Sequence, residues 1–319
     1  MNADPAAPIA ILGNLNLDQI VSTISRFPEW DEELLVDRST LELAGTAGYM
    51  AIACERLGTP AFAVSTVGDD YYADFLRSEM RRHKLDEFGI VTIPNSSTCL
   101  GIVFVGDQGQ RGILSVLGAH KEMSVAVAKS FDDRIASCHE VVFCGNYLLP
   151  KFSPADIAEY ARDLRVQGHP IVFDPSWDPA GWTDQNQIDT YRLLEHVDLY
   201  TPNVEEICHL TRTSTWQEAA RVIGPMVPEL VIKRGAEGAV YLSGDVVIEV
   251  PAFQVNVVNT IGAGDVFDIS FLVARRRGMD PKPALEFANA AAAIIVSQDG
   301  AREYPTVADV EAFLRRSHS

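Results

Sequence analysis

The sequence predicts an α/β fold: a three-layer α/β/α core around a mostly parallel sheet, with a small β-sheet lid at one edge. Three observations carry this. Short apolar runs rich in β-branched residues alternate with amphipathic helical stretches along most of the chain. The runs are continuous in apolar character, as strands covered on both faces are. Two regions, 14–45 and 98–118, hold strand-like stretches with no helix between them, so they fit poorly inside a doubly wound core and form the lid. With 319 residues, 47% of them apolar, a single α/β domain over 1–319 accommodates everything.

The elements follow in chain order. IAILG (9–13) is a strand ending at Gly13, and Ala47 to Leu57 has helical spacing with Gly58 as its stop. AFAVSTVG (61–68) is a strand and Tyr71 to His83 a helix. VVFCG (141–145), a helix from Pro154 to Gln167 closed by Gly168, and the strand IVFD (171–174) come next. VDLYTPN (197–203), a helix around Trp216 to Ile223 and LVIKRG (230–235) continue the alternation. Two helices fill 264–277 and 283–298, and a last one begins at Thr306, whose partner Asp309 sits three residues on, near a capping box. In the lid, GDQGQ reads as the turn of an antiparallel hairpin.

Composition removes several classes of function. A net charge of −18 opposes nucleic acid and anionic membrane. The one compact basic run, Arg275-Arg276-Arg277, falls at the expected end of a helix, where cations suit the dipole. The longest apolar runs are too short to span a bilayer, and MNADPAAP has no secretory character. Five cysteines without a CxxC pair suggest neither a disulfide framework nor a zinc site, and a reduced, cytoplasmic protein is the simplest reading.

The chemistry concentrates in NTIGAGDVFDISFL (259–272). Gly262, Ala263 and Gly264 lead into a helix, where small residues admit a ligand to the backbone and the first turn offers unpaired N–H groups. Such a turn can hold a phosphate or stabilise charge on a phosphoryl group in transfer. Asp265 at the same place can accept a proton from an attacking hydroxyl, although a capping role alone would also explain it. Asn203 and Glu206 stand at a strand end, where Glu206 could organise Mg²⁺ through water or Asn203 could simply cap a helix. Lys233 and Arg234, with Gly235 and Gly238, form a glycine-containing turn suited to lining a nucleotide, or else an exposed turn. Asn14, Asn16 and Asp18 alternate with leucines, so a strand puts them on one face, fit for vicinal sugar hydroxyls or for solvent.

In this order the features resemble the ribokinase-like (PfkB-type) carbohydrate kinases, over roughly residues 8 to 315. The family's C-terminal signature D-T-x-G-A-G-D-x-F is matched by Asn259 to Phe267, its N-x-x-E by Asn203 and Glu206. FANAAAAIIVSQDGA (287–301) is similar to its nucleotide-side helix and loop, and CLGIVFVGDQGQRGILSVLGA to its lid hairpin. The resemblance implies ATP- and Mg²⁺-dependent phosphorylation of a hydroxymethyl group on a small sugar or nucleoside. It implies Asp265 as general base, the amides of Gly262, Ala263, Gly264 and Asp265 as anion hole, and Glu206 holding Mg²⁺ through water. Asn14, Asn16, Asp18, Gly45, Thr46, Tyr49 and Asn146 fall on the substrate side; Asn203, Lys233, Gly235, Gly238 and Asn289 on the nucleotide side. It also implies a homodimer through the lid edges.

The chain departs from the pattern in places. The signature G-G-x-x-x-N-x-A reads Ala44 to Ala51 here, with Tyr49 in place of the asparagine. Asn259 replaces an aspartate that in relatives helps bind a monovalent cation, which leaves K⁺ activation open. FDPSWDPAGW (173–182) resembles the D-P-N-x-R stretch of fructokinase and 2-keto-3-deoxygluconate kinase relatives, with Ser176 and Asp178 where they carry Asn and Arg. Without that Arg a strongly acidic sugar lacks a partner, so a neutral one is expected. A catalytically attenuated regulatory protein that binds sugar or nucleotide on the same fold is the alternative. A dinucleotide-dependent oxidoreductase is disfavoured because ILGNLNLD lacks G-x-G-x-x-G.

Overall fold

The computed structural model describes residues 7–106, 111–298 and 303–317. Most of the GDQGQ turn and the end of the 287–301 stretch lie outside the described residues. The chain forms two sheets. The larger contains β1 (Ile9–Gly13), β4 (Ala61–Val67), β5 (Ile90–Thr92), β8 (Val141–Cys144), β9 (Ile171–Asp174), β10 (Leu199–Tyr200), β11 (Glu229–Lys233), β12 (Ala239–Ser243) and β13 (Val246–Val250). Its nine strands run in the order β13-β12-β11-β10-β9-β8-β1-β4-β5. Pairing is parallel from β5 to β11, and antiparallel only where β12 and β13 close the edge.

The helices are α1 (Thr46–Arg56), α2 (Tyr71–Arg82), α3 (Val125–Lys129), α4 (Asp132–Ile135), α5 (Pro154–Val166), α6 (Asp184–Leu194), α7 (Val204–Thr211), α8 (Trp216–Ile223), α9 (Ala263–Arg276), α10 (Pro281–Val296) and α11 (Val307–Ser317). They cover both faces of the large sheet, and β1 shows why. Ile9 and Ile11 enter a core with Met50 of α1, Phe271 of α9 and Phe287 of α10. Ala10 and Leu12 enter a second core with Ile157 of α5, Leu193 of α6, Ile207 of α7 and Ile223 of α8. Alternate residues of one strand therefore feed two apolar layers, and every residue of IAILG is buried. Among the described residues no helix is long and apolar enough to cross a membrane.

The smaller sheet consists of β2 (Asn16–Ile24), β3 (Arg38–Ala44), β6 (Leu100–Gly106) and β7 (Arg111–Val116), in the order β3-β2-β6-β7. It uses the two regions set apart by their lack of helices, and the antiparallel pair expected around GDQGQ is β6 with β7. β2 follows β1 after two residues, so one chain segment joins the sheets.

Several expectations need correction. The strand read over 197–203 is only Leu199–Tyr200, and Asn203 already caps α7. The helix read from 283 begins at Pro281, a residue tolerated in the first turn where its missing N–H costs nothing. The basic run does close α9, but Arg276 is not a solvated dipole partner. It is buried against Glu140 at 2.6 Å and donates to the Ala7 carbonyl.

Candidate active site

In a parallel sheet, side chains at the carboxyl ends of the strands share one crevice. Here those ends are Gly13, Cys144, Asp174, Tyr200 and Lys233. Burial pushes the Cys144 thiol well up, and the Asp174, Asp265 and Asp268 carboxylates push it further, so these groups crowd the same edge.

On the β1 side lies the polar row. Asn14, Asn16 and Asp18 do share a face, and all three are buried, so a solvent-facing edge is ruled out. The row is internally bonded: Asn14 Nδ2 donates to Asn16 Oδ1 at 3.4 Å, and Asn16 Nδ2 to Asp18 Oδ1 at 2.9 Å. Backbone comes close on three sides, since a Cβ on Gly45, Gly101 or Gly145 would overlap Asn16, Asp18 or Asn14 respectively. Gly45 caps α1 and delivers Thr46 and Tyr49 from its first turns. Thr46 Oγ1 lies 3.1 Å from Ser176 Oγ, joining the α1 start to the loop after β9. Tyr49 is buried and its hydroxyl donates to Asp18 Oδ2 at 3.1 Å, so it offers its ring to no ligand. Asn146 is fully buried, and its amide donates to the Phe152 carbonyl at 3.1 Å. Asp178, where relatives carry Arg, is spent within its loop on the Ala180 and Trp182 amides and on Asn186 Nδ2.

Across the crevice is the turn at 259–265. Asn259 Oδ1 accepts from the Ile261 amide at 2.9 Å and folds the approach. Gly262 then takes φ 72°, a left-handed conformation that glycine adopts without a Cβ clash, and caps α9. Ala263, Gly264 and Asp265 are its first three residues, all part-exposed, and the Ala263 amide donates to the Thr260 carbonyl at 3.3 Å. The positive end of α9 lies at this turn.

Behind the turn lies a charge cluster that the sequence reading missed in part. Lys233 is not an exposed turn residue. Its Nζ is 2.7 Å from Asp268 Oδ2 and 3.3 Å from Asp174 Oδ2, and 3.5 Å from where a Cβ on Gly264 would stand. Burial alone would lower the Lys233 pKa, but Asp174 and Asp268 outweigh it and hold the ammonium above its ordinary range. Burial pushes the Asp268 carboxyl well up against the pull of Lys233, and the neighbouring Asp174 adds to the rise. Thr201 Oγ1 donates to Asp268 at 3.1 Å. One sequence signal did exist: Asp268 is an acid inside the apolar run DVFDISFL, and a buried helix carries such a group only with a partner.

After β10, Asn203 and Glu206 form a reciprocal capping box on α7, with bonds of 2.9 and 2.8 Å. The capping reading of that pair is the one these bonds show. Burial, with Asp174 adding to it, pushes the Glu206 carboxyl up to about 7. Gly235 and Gly238 frame the turn between β11 and β12. Arg234 pairs with Glu249 at 2.8 Å and lies over the Trp216 ring. The Asn289 amide donates to the carbonyls of Val250 and Pro251, tying α10 to the end of β13.

The sequence pattern of the pfkB family carbohydrate kinases matches residues 9–307. The chain is 29% identical to a ribokinase of Bacillus subtilis, over 96% of this chain and 99% of that one. Its fold superposes on an Arabidopsis thaliana ribokinase complexed with ribose and ATP, at TM-score 0.80 and 23% identity, covering 97% of this chain and 99% of that one. A putative Escherichia coli ribokinase II in complex with ATP and Mg²⁺ gives TM-score 0.82 at 24% identity, with the same coverage. With a crevice at the carboxyl edge of its parallel sheet and a second small sheet beside it, the chain belongs to the pfkB family of carbohydrate kinases.

Proposed function

We propose that this carbohydrate kinase transfers the terminal phosphoryl group of ATP to a hydroxymethyl group of a small neutral sugar or nucleoside. The observation that carries the reading is the start of α9, where Asp265 and Gly264 stand in the first turn after the left-handed Gly262 cap. Asp265 takes the proton of the attacking hydroxyl. The amides of Gly262 to Asp265, with the Lys233 ammonium close behind Gly264, hold the charge on the phosphoryl oxygens. Asn16 and Asp18 hold sugar hydroxyls, and the small sheet acts as a lid that keeps water from the phosphoryl group. The buried Glu206 carboxylate, crowded by Asp174, fits a hydrated Mg²⁺. When bound, the metal would neutralise phosphate charge. The acceptor is neutral because Asp178 stands where an acidic sugar would need Arg. A second copy pairs through the edges of the small sheet.

The test is ADP release with Mg-ATP across pentoses, hexoses, sugar acids and nucleosides, with and without K⁺. A neutral sugar or nucleoside should turn over, and Asp265→Asn should lose about a thousandfold or more in rate. A sugar that stabilises the wild type and never turns over would mark a regulatory protein of the same fold.

A further inference from the structure

The two sides of the crevice are joined through the loop after β9. Asp174 ends that strand, and its oxygens serve different partners: Oδ2 accepts from Lys233 Nζ at 3.3 Å, and Oδ1 from the Ser176 amide at 3.0 Å. Lys233 continues to Asp268 of α9, at 2.7 Å, in the same helix that carries Asp265 in its first turn. In the other direction Ser176 Oγ lies 3.1 Å from the hydroxyl of Thr46, the first residue of α1. Ala47 comes next, and its amide donates to the Asn14 carbonyl at 3.1 Å. A chain of polar contacts thus runs from α9 to the segment that bears the polar row. Asp178 closes the rest of the loop on itself, through the Ala180 and Trp182 amides and Asn186. Ser176 also has φ 54°, a left-handed conformation that is costly for a residue with a Cβ. The stretch this loop resembles carries asparagine there, which takes positive φ more readily; serine bears the strain and supplies a short hydroxyl.

We propose, resting on the kinase reading above, that Ser176 is a positioning residue: its bond to Thr46 holds the acceptor side of the crevice in register with the α9 turn that carries Asp265. It touches neither reactant. Both hydroxyls of the pair are part-buried, so water competes with the bond less than it would on an open surface. Without the Ser176 hydroxyl the acceptor contacts and Asp265 remain, and the link that sets their spacing is lost. Such a loss acts on the chemical step rather than on binding, because small displacements of reacting groups lower the rate steeply.

The experiment is steady-state kinetics of wild type, Ser176→Ala, Ser176→Gly, Thr46→Val and the Ala/Val double variant. The substrates are Mg-ATP and D-ribose or, where ribose does not turn over, the neutral acceptor that does so fastest in the ADP-release survey. Ser176→Ala should lower kcat about tenfold or more while both KM values stay within about twofold. Sugar phosphate formed per ADP released should drop with it, as water takes more of the phosphoryl group. Ser176→Gly, at ease with positive φ, should behave the same way, which assigns the loss to the hydroxyl. In the Thr46→Val background, Ser176→Ala should cost less than about a further twofold. An unchanged kcat, an acceptor KM that rises at constant kcat, a Ser176→Gly equal to wild type, or additivity with Thr46→Val would each overturn the proposal. A ligand-free arm stands apart from the functional reading: amide hydrogen exchange at the start of α1 should be faster in Ser176→Ala than in wild type, and equal exchange would overturn the proposal by itself. Failure of the kinase reading would appear elsewhere, as a wild type that releases no ADP on any acceptor.

Discussion

Replacing Lys233 by Met removes the cation from the buried cluster and leaves its acids in place. Its ammonium meets Asp268 at 2.7 Å and Asp174 at 3.3 Å, with those carboxylates 1% and 4% exposed. Removing one partner of a buried pair costs about 3–5 kcal/mol, because the other charge stays behind without compensation. Here two stay behind, Asp268 with the Thr201 hydroxyl as a donor and Asp174 with the Ser176 amide. Proton uptake limits the damage, since burial already favours the protonated form of Asp268. That relief weakens by up to about 1.4 kcal/mol per pH unit and per proton as pH rises. Urea unfolding should therefore show Lys233→Met losing about 3–5 kcal/mol at pH 8 and less at pH 6. Asp268→Asn, which keeps the shape and the Lys233–Asp174 pair, should lose about 1 kcal/mol. Turnover of Lys233→Met should also fall, because the ammonium backs Gly264. If Lys233→Met stays within about 1 kcal/mol of wild type at both pH values, the cluster is not held by charge and the reasoning fails.

His120 is fully buried and its Nε2 lies 3.1 Å from the Leu15 carbonyl; burial pushes its pKa down from 6.5 to about 4. The unfolded chain then binds more protons below pH 6.5, so stability present above that value should be lost as pH falls toward 4, by about 3 kcal/mol. His120→Gln should flatten urea midpoints across this window, and an unchanged slope would refute the assignment. For the assembly, the edge strand β7 exposes Ile113, Leu114 and Val116. Light scattering should give a dimer and Ile113→Glu a monomer; a monomeric wild type would end that reading.

How much the sequence disclosed follows from how local each signal is. Strands such as IVFD and helices with an apolar stripe are written in consecutive residues, and they appear where expected. The helix α6, DQNQIDTYRLL, was not anticipated because its buried side includes Asp189 and Thr190, which satisfy themselves through Gln185 and Asn186. The polar row was legible because period two alone brings Asn14, Asn16 and Asp18 together. That Lys233 would meet Asp174 and Asp268 was not, since those partners lie 59 and 35 positions away and only packing unites them. The same applies to Tyr49 and Asp18, 31 positions apart.

The placement of the polar row on β2 has a mechanical consequence. Asn16 and Asp18 belong to the small sheet, while Asp265 belongs to the helical layer over the large one. Leu15 joins them, with its carbonyl against His120 and its amide donating to Ser65, so the joint is braced on both sides. On the proposed function, sugar and base would therefore be carried by different sheets. Substitutions at the joint would shift their alignment without touching either.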